Sequence, residues 1–77
     1  MDLMHAQAEF EAGHLTGAAA EPSEKGNGWH LLFHTPTGKI EMLTDHSGHE
    51  RLYHTLKQVT EVGRDIGFES IRVEEHF

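Results

Sequence analysis

A helix start signal placed directly ahead of one apolar stripe constrains this chain more than any other feature. Ser47-Gly48-His49-Glu50 is followed by Leu52, Leu56, Val59, Gly63 and Ile66, a series that advances by four, three, four and three residues and so lies along one side of a helix. The Ser47 hydroxyl is expected to accept from the Glu50 amide while the Glu50 carboxylate reaches back to the Ser47 amide, a capping box that satisfies two donors left open at a helix start. The predicted helix runs from Ser47 to about Ile66, with Arg64 at its negative end and Gly67 as the left-handed residue that stops it. Gly63 costs about 1 kcal/mol against alanine in a helix interior, so its place in the stripe implies a close approach to a bulky sheet residue. Trp29 is the expected neighbour.

The rest of the chain reads as short strands and tight turns. Lys25-Gly26-Asn27-Gly28 is a hairpin turn, because Asn-Gly tolerates the positive φ values that such turns require. In the strand that follows, Trp29, Leu31 and Phe33 share one face, and His30, Leu32 and His34 point to the other. Thr35-Pro36-Thr37-Gly38 turns the chain back into a strand carrying Ile40, Glu41, Met42 and Leu43. Leu15 to Glu21 reads as a weaker strand ending at Pro22, which suits an edge. Ile71 and Val73 alternate with polar neighbours in a closing strand, with Phe77 free to pack or to extend beyond it.

The expected fold is α+β in the order β-β-β-α-β, an antiparallel meander with one helix on one sheet face. Residues 15–77 form the single small domain, and residues 1–14 form a flexible or partly helical arm in which Asp2 is a candidate cap. One domain is all that 77 residues can build, and a chain of this size hides only about 60% of the surface its unfolded form exposes. With no cysteine, stability must come from core packing, and a reducing, cytoplasmic location is expected. The apolar runs, such as Ala18 to Ala20 and Leu31 to Phe33, are too short for a membrane span. Asp2 follows Met1 with no basic leader, so no secretory signal is expected.

Six basic residues against thirteen acidic ones give a net charge of −7, which disfavours direct binding to nucleic acid. The eight histidines each gain a proton as pH falls through roughly 6.5, so acidic and neutral solutions present different surfaces. The densest cluster of ligand-type side chains is Asp45, His46, His49, Glu50 and His54. Its alternative reading is a metal site on His46, His49 and His54, but no HExxH or HxH spacing is present. The simpler reading assigns Asp45 and Glu50 to the positive helix end and leaves the histidines solvated. Ser23, Ser47 and Ser70 lie in no nucleophile elbow, and Gly26 and Gly28 precede a strand rather than a helix, so neither an enzyme nor a cofactor is expected.

Phe10-Glu11-Ala12-Gly13, Gly28-Trp29 with Leu31 and Phe33, Gly38, Leu43-Thr44, Arg51-Leu52-Tyr53 with Leu56, and Ile66-Gly67-Phe68 together carry a similarity across residues 10–73. In these positions the chain resembles the short ParC-like proteins encoded in plasmid partition and stabilisation loci. The resemblance implies a small accessory protein in a partner complex and carries over no catalytic residue. Members usually hold a more basic segment where this chain has Asp45-His46-Ser47-Gly48-His49-Glu50, so no phosphate contact carries over. The expected function is noncatalytic binding of a protein partner, or of a second copy in a homodimer. The expected contact is the uncovered sheet face bearing His30, Leu32 and His34, with Leu43 in the neighbouring strand. Histidine protonation is expected to weaken that contact below about pH 6.

Overall fold

A computed structural model of the chain describes residues 1–75, so the expectation for Phe77 lies outside the described residues. The elements are α1 (Leu3–Glu11), β1 (Gly17–Pro22), β2 (Trp29–His34), β3 (Ile40–Met42), α2 (Leu56–Ile66) and β4 (Arg72–Val73). The four strands form one sheet in the order β3-β2-β1-β4. The predicted α+β class holds, with a second helix and a mixed sheet. β1, β2 and β3 form the antiparallel meander, whereas β4 lies parallel to β1.

The second predicted turn, at residues 35–38, forms. The first is displaced: the tight turn lies at Ser23–Gly26, the Ser23 amide donates to the Gly28 carbonyl at 2.8 Å, and Asn27 has no positive φ. Gly28 leaves the first at φ +151°, where a Cβ would lie 2.6 Å from the Tyr53 carbonyl oxygen, and that oxygen accepts from the Trp29 amide at 2.8 Å. The alternation of β2 sends Leu31 and Phe33 into the core, where the register sets them beside Ala20 and Ala18 of β1. Phe33, Leu31, Leu43 and Val59 have no exposed surface. Burial of each such side chain contributes about 1.5–3 kcal/mol.

β1 was expected at an edge and is instead central, between β2 and β4. Its alanines have weak strand propensity, but their small size lets the helices pack down onto the bulkier side chains of β2, and tertiary context overrides the local preference. Pro22 is its last residue, beyond the Ala19–Arg72 and Ala20–Val73 pairs that β1 makes with β4.

The predicted arm is largely a docked helix. Asp2 caps α1 by accepting from the His5 amide at 2.8 Å, Ala6 is fully buried, and Phe10 meets Phe68 edge to face at 4.7 Å. α1 lies beside α2 on the same side of the sheet, within one core cluster. Gly67 ends α2 at φ +137°, and a Cβ there would strike the Phe10 ring. The close approach at Gly63 is present, but Ile71 and Leu31 are its neighbours, not Trp29. Trp29 pairs with Pro22 and Tyr53 near the turn end of the sheet.

The start of α2 departs furthest from expectation. Thr55, not Ser47, is the N-cap: its hydroxyl accepts from the Gln58 amide at 3.1 Å, and the Gln58 side chain accepts from the Thr55 amide at 3.3 Å. Ser47 lies in a turn in which the Ser47 and His49 amides donate to Asp45 Oδ1 at 2.8 and 3.0 Å, and Gly48 takes a left-handed conformation. An aspartate bonding to amides two and four residues ahead offers the backbone an alternative to a helical turn. Leu56, Val59, Gly63 and Ile66 keep the stripe, whereas Leu52 leaves it and is 37% exposed.

Residues 43–53 therefore interrupt a strand rather than begin a helix. Leu43 donates to the Leu31 carbonyl at 2.9 Å, Thr44 bridges to Glu50 across the turn, and Tyr53 returns to exchange two 2.8 Å hydrogen bonds with Trp29. The third strand leaves β2 after Leu43, makes a small hairpin and resumes opposite Trp29. Among the described residues, no helix is long and apolar enough to cross a membrane.

The two candidate caps are separable by mutation. Thr55→Ala lowers the unfolding free energy by about 1 kcal/mol, whereas Ser47→Ala stays within about 0.5 kcal/mol, both read from urea denaturation. The reverse order returns the helix start to Ser47.

Candidate binding face

Strand register assigns the outer face of the sheet. Glu21 stands opposite His30, Ala19 opposite Leu32, and Gly17 opposite His34; Met42 and Ile40 of β3 face Leu32 and His34. Both helices pack on the other side. The outer face thus carries an apolar band of Leu32, Met42 and Ile40, with Ile40 59% exposed, and Leu52 of the excursion joins it. Leu43, expected here, is completely buried in the core. It follows Met42, and adjacent residues of a strand point to opposite faces. Met42 takes the place in the band that the sequence assigned to Leu43.

His30 is 5% exposed, the one buried polar or charged residue among those described. Its Nδ1 is hydrogen-bonded to the Glu50 carboxylate, and Glu21 Oε1 lies 3.5 Å from its Nε2, which makes no hydrogen bond. A neutral imidazole has one N–H to give and an imidazolium has two, so a proton on His30 is matched by carboxylates on both sides of the ring.

A cleft of about 350 Å³ opens beside this group, floored by Leu32, Met42 and Leu52 and walled by Glu21, Glu24, Glu50 and Lys25. His34 does not share it. That residue borders a separate hollow of about 530 Å³ between β1 and residues 67–72, where β4 has not yet joined the sheet. The histidine pair seen in the alternation of β2 is therefore split between two depressions.

The acidic and histidine-rich segment forms the tip of the excursion. Asp45 is held below the usual carboxylate value of 3.8 by the hydrogen bond from the His49 amide, reinforced by that from Ser47 and by the nearby His49 and His46 rings. His49 Nδ1 lies 3.6 Å from Asp45 Oδ2 with its side chain 82% exposed. His46 and His54 are exposed as well, on the turn and just ahead of the α2 cap. Among the described residues, no group of three or more His, Cys, Asp or Glu side chains is arranged to hold a metal ion. The alternative site on His46, His49 and His54 does not assemble.

Sequence reasoning placed His30 and Leu32 on the outer face but missed Glu21 and Glu50 as the partners of the histidine. Neither was within reach. A tight turn on residues 25–28 would set Ser23, not Glu21, opposite His30, whereas the loop closes at Ser23 and Gly28 and so brings Glu21 there. The approach of Glu50 depends on the excursion. No protein-family model matches this chain, and comparison with curated proteins and with solved structures yields no match.

Removing Glu50 leaves His30 Nδ1 buried without its acceptor. Glu50→Ala is expected to cost about 1–2 kcal/mol in urea denaturation, and Glu24→Ala at the rim no more than about 0.5 kcal/mol. Equal effects would make the Glu50 contact incidental. A second expectation concerns acid. Because the folded-state pKa of Asp45 is depressed, the turn is fully supported above the ordinary carboxylate range and loses that support as pH falls through the lowered value. The Ser47 and His49 amide resonances should move together with a midpoint below 3.8. They should stay fixed in Asp45→Asn.

Proposed function

We propose that this chain is a noncatalytic, cytoplasmic protein-binding module that engages a partner protein through the sheet face opposite its helices. The observation that carries this reading is the apolar band of Leu32, Met42, Ile40 and Leu52 on a face that neither helix covers, with Ile40 59% and Leu52 37% exposed. Contiguous apolar surface on a small protein commonly marks an interaction site. Polar groups border the band, as at a protein interface, with His34 beside Ile40 at one end and His30 with its carboxylates at the other. Two copies of a chain carrying −7 repel each other, which favours a different protein as the occupant. A component of a plasmid partition complex is the partner that the similarity over residues 10–73 implies.

The test is titration of the ¹⁵N-labelled chain with the purified products of its neighbouring genes. Binding should broaden amide resonances around Leu32, Ile40, Met42 and Leu52, and Ile40→Asp should weaken the complex about tenfold or more. A partner that perturbs the helical side instead, or that tolerates Ile40→Asp unchanged, overturns the reading. Self-association detected by sedimentation and abolished by Ile40→Asp makes the second copy the occupant.

A further inference from the structure

We infer that the cleft beside His30 seats an arginine side chain of the partner, with its stem on the apolar floor and its guanidinium among the carboxylates. This rests on the reading of the outer face as the binding face and adds the chemistry of one contact. Leu32, Met42 and Leu52 make the floor, and Glu21, Glu24 and Glu50 set three carboxylates around it against the single cation Lys25. Apolar length ending in positive charge is what such a cleft matches, because arginine and lysine lay their methylene stems on apolar surface while the charged head stays among polar groups. The charges come from β1 (Glu21), from the turn that follows it (Glu24 and Lys25) and from the excursion (Glu50). β3 contributes Ile40 and Met42 to this face and no charge.

His30 selects between the two cations. Its side chain is 7% exposed, and with Nδ1 donating to Glu50, the Nε2 of the neutral ring is a buried lone pair that makes no hydrogen bond. Glu21 Oε1 stands 3.5 Å from it, so two acceptors face one position. A carboxylate has capacity for several donors, so other contacts of Glu21 do not remove it from this pair. The planar guanidinium presents N–H groups in a fixed fork that serves two adjacent acceptors at once, whereas an ammonium is a compact point charge. Nε2 has essentially no exposed surface. Entry therefore requires the Glu21 side chain, 24% exposed, to turn outward and follow the cation.

The experiment titrates the ¹⁵N-labelled full chain with three short peptides that differ at one central position, occupied by arginine, by lysine or by its neutral isostere citrulline, between leucine and alanine flanks. The arginine peptide should shift the amides of Glu21, His30, Leu32 and Glu50 together with the His30 ring nitrogens. The citrulline peptide should bind about tenfold more weakly. Glu24→Gln, a change at an exposed rim position, should weaken the arginine peptide about threefold without altering the spectrum of the free protein. Equal binding of the citrulline peptide, shifts confined to the helical side, or no binding of the arginine peptide overturns the inference. A lysine peptide as tight as the arginine peptide overturns the two-acceptor seat. If a neighbouring gene product still broadens the apolar band while the arginine peptide fails, this contact is wrong and the binding face stands. If the arginine peptide binds in the cleft while Ile40→Asp leaves the partner complex unchanged, the broader reading fails and the contact survives.

Discussion

The fold depends on the fit of small residues against large ones across β2. Leu31 and Phe33 project from the strand beside two alanines of β1, and Gly63 lets α2 come down against Leu31 and Ile71. Small side chains on one element leave volume that large ones on another can fill at interior density. That complementarity draws both helices to one side of the sheet. Phe10, Phe68 and Phe33 extend the contact from α1 across the core, with Phe33 and Phe68 stacked at 6.0 Å.

With both helices on one side, the opposite face is shaped by loops alone. The excursion between Leu43 and Tyr53 is the decisive one. It brings the Glu50 carboxylate to the His30 ring and leaves Leu52 at the margin of the apolar band. Its ends are fixed by hydrogen bonds to the two halves of β2, Leu43 to Leu31 and Tyr53 to Trp29. Asp45 organises its tip. The hydrogen bond between the buried His30 Nδ1 and the Glu50 carboxylate couples the excursion to β2, because a desolvated ring N–H is costly without an acceptor. The apolar band and the polar cleft therefore share one support.

Much of this was legible in the residue order. The turn at residues 35–38, the alternation of β2, the stripe from Leu56 to Ile66 and the stop at Gly67 follow from local chemistry, and each is present. Two local signals competed at residues 45–50, and the wrong one was the more familiar. Ser47 with Glu50 has the spacing of a capping box, but Asp45 two residues earlier offers its carboxylate to the same stretch of backbone, and Gly48 accepts the turn that results. Thr55 with Gln58 carries the same capping spacing eight residues later, at the point where the stripe becomes continuous. The error passed directly to the site, since a helical Glu50 would not have been read as a neighbour of His30.

The sequence by itself determined the class of fold, the antiparallel succession of the first three strands, the apolar side of α2 and the outward direction of His30, Leu32 and His34. Those properties follow from backbone periodicity and turn chemistry, which act over a few residues. Only tertiary structure decided that β1 is central, that the first residues dock as a helix, that Leu43 belongs to the core and that Glu21 and Glu50 flank His30. Each of these depends on contacts between residues far apart in the chain, where packing volume and the need to satisfy buried polar groups outweigh local preference.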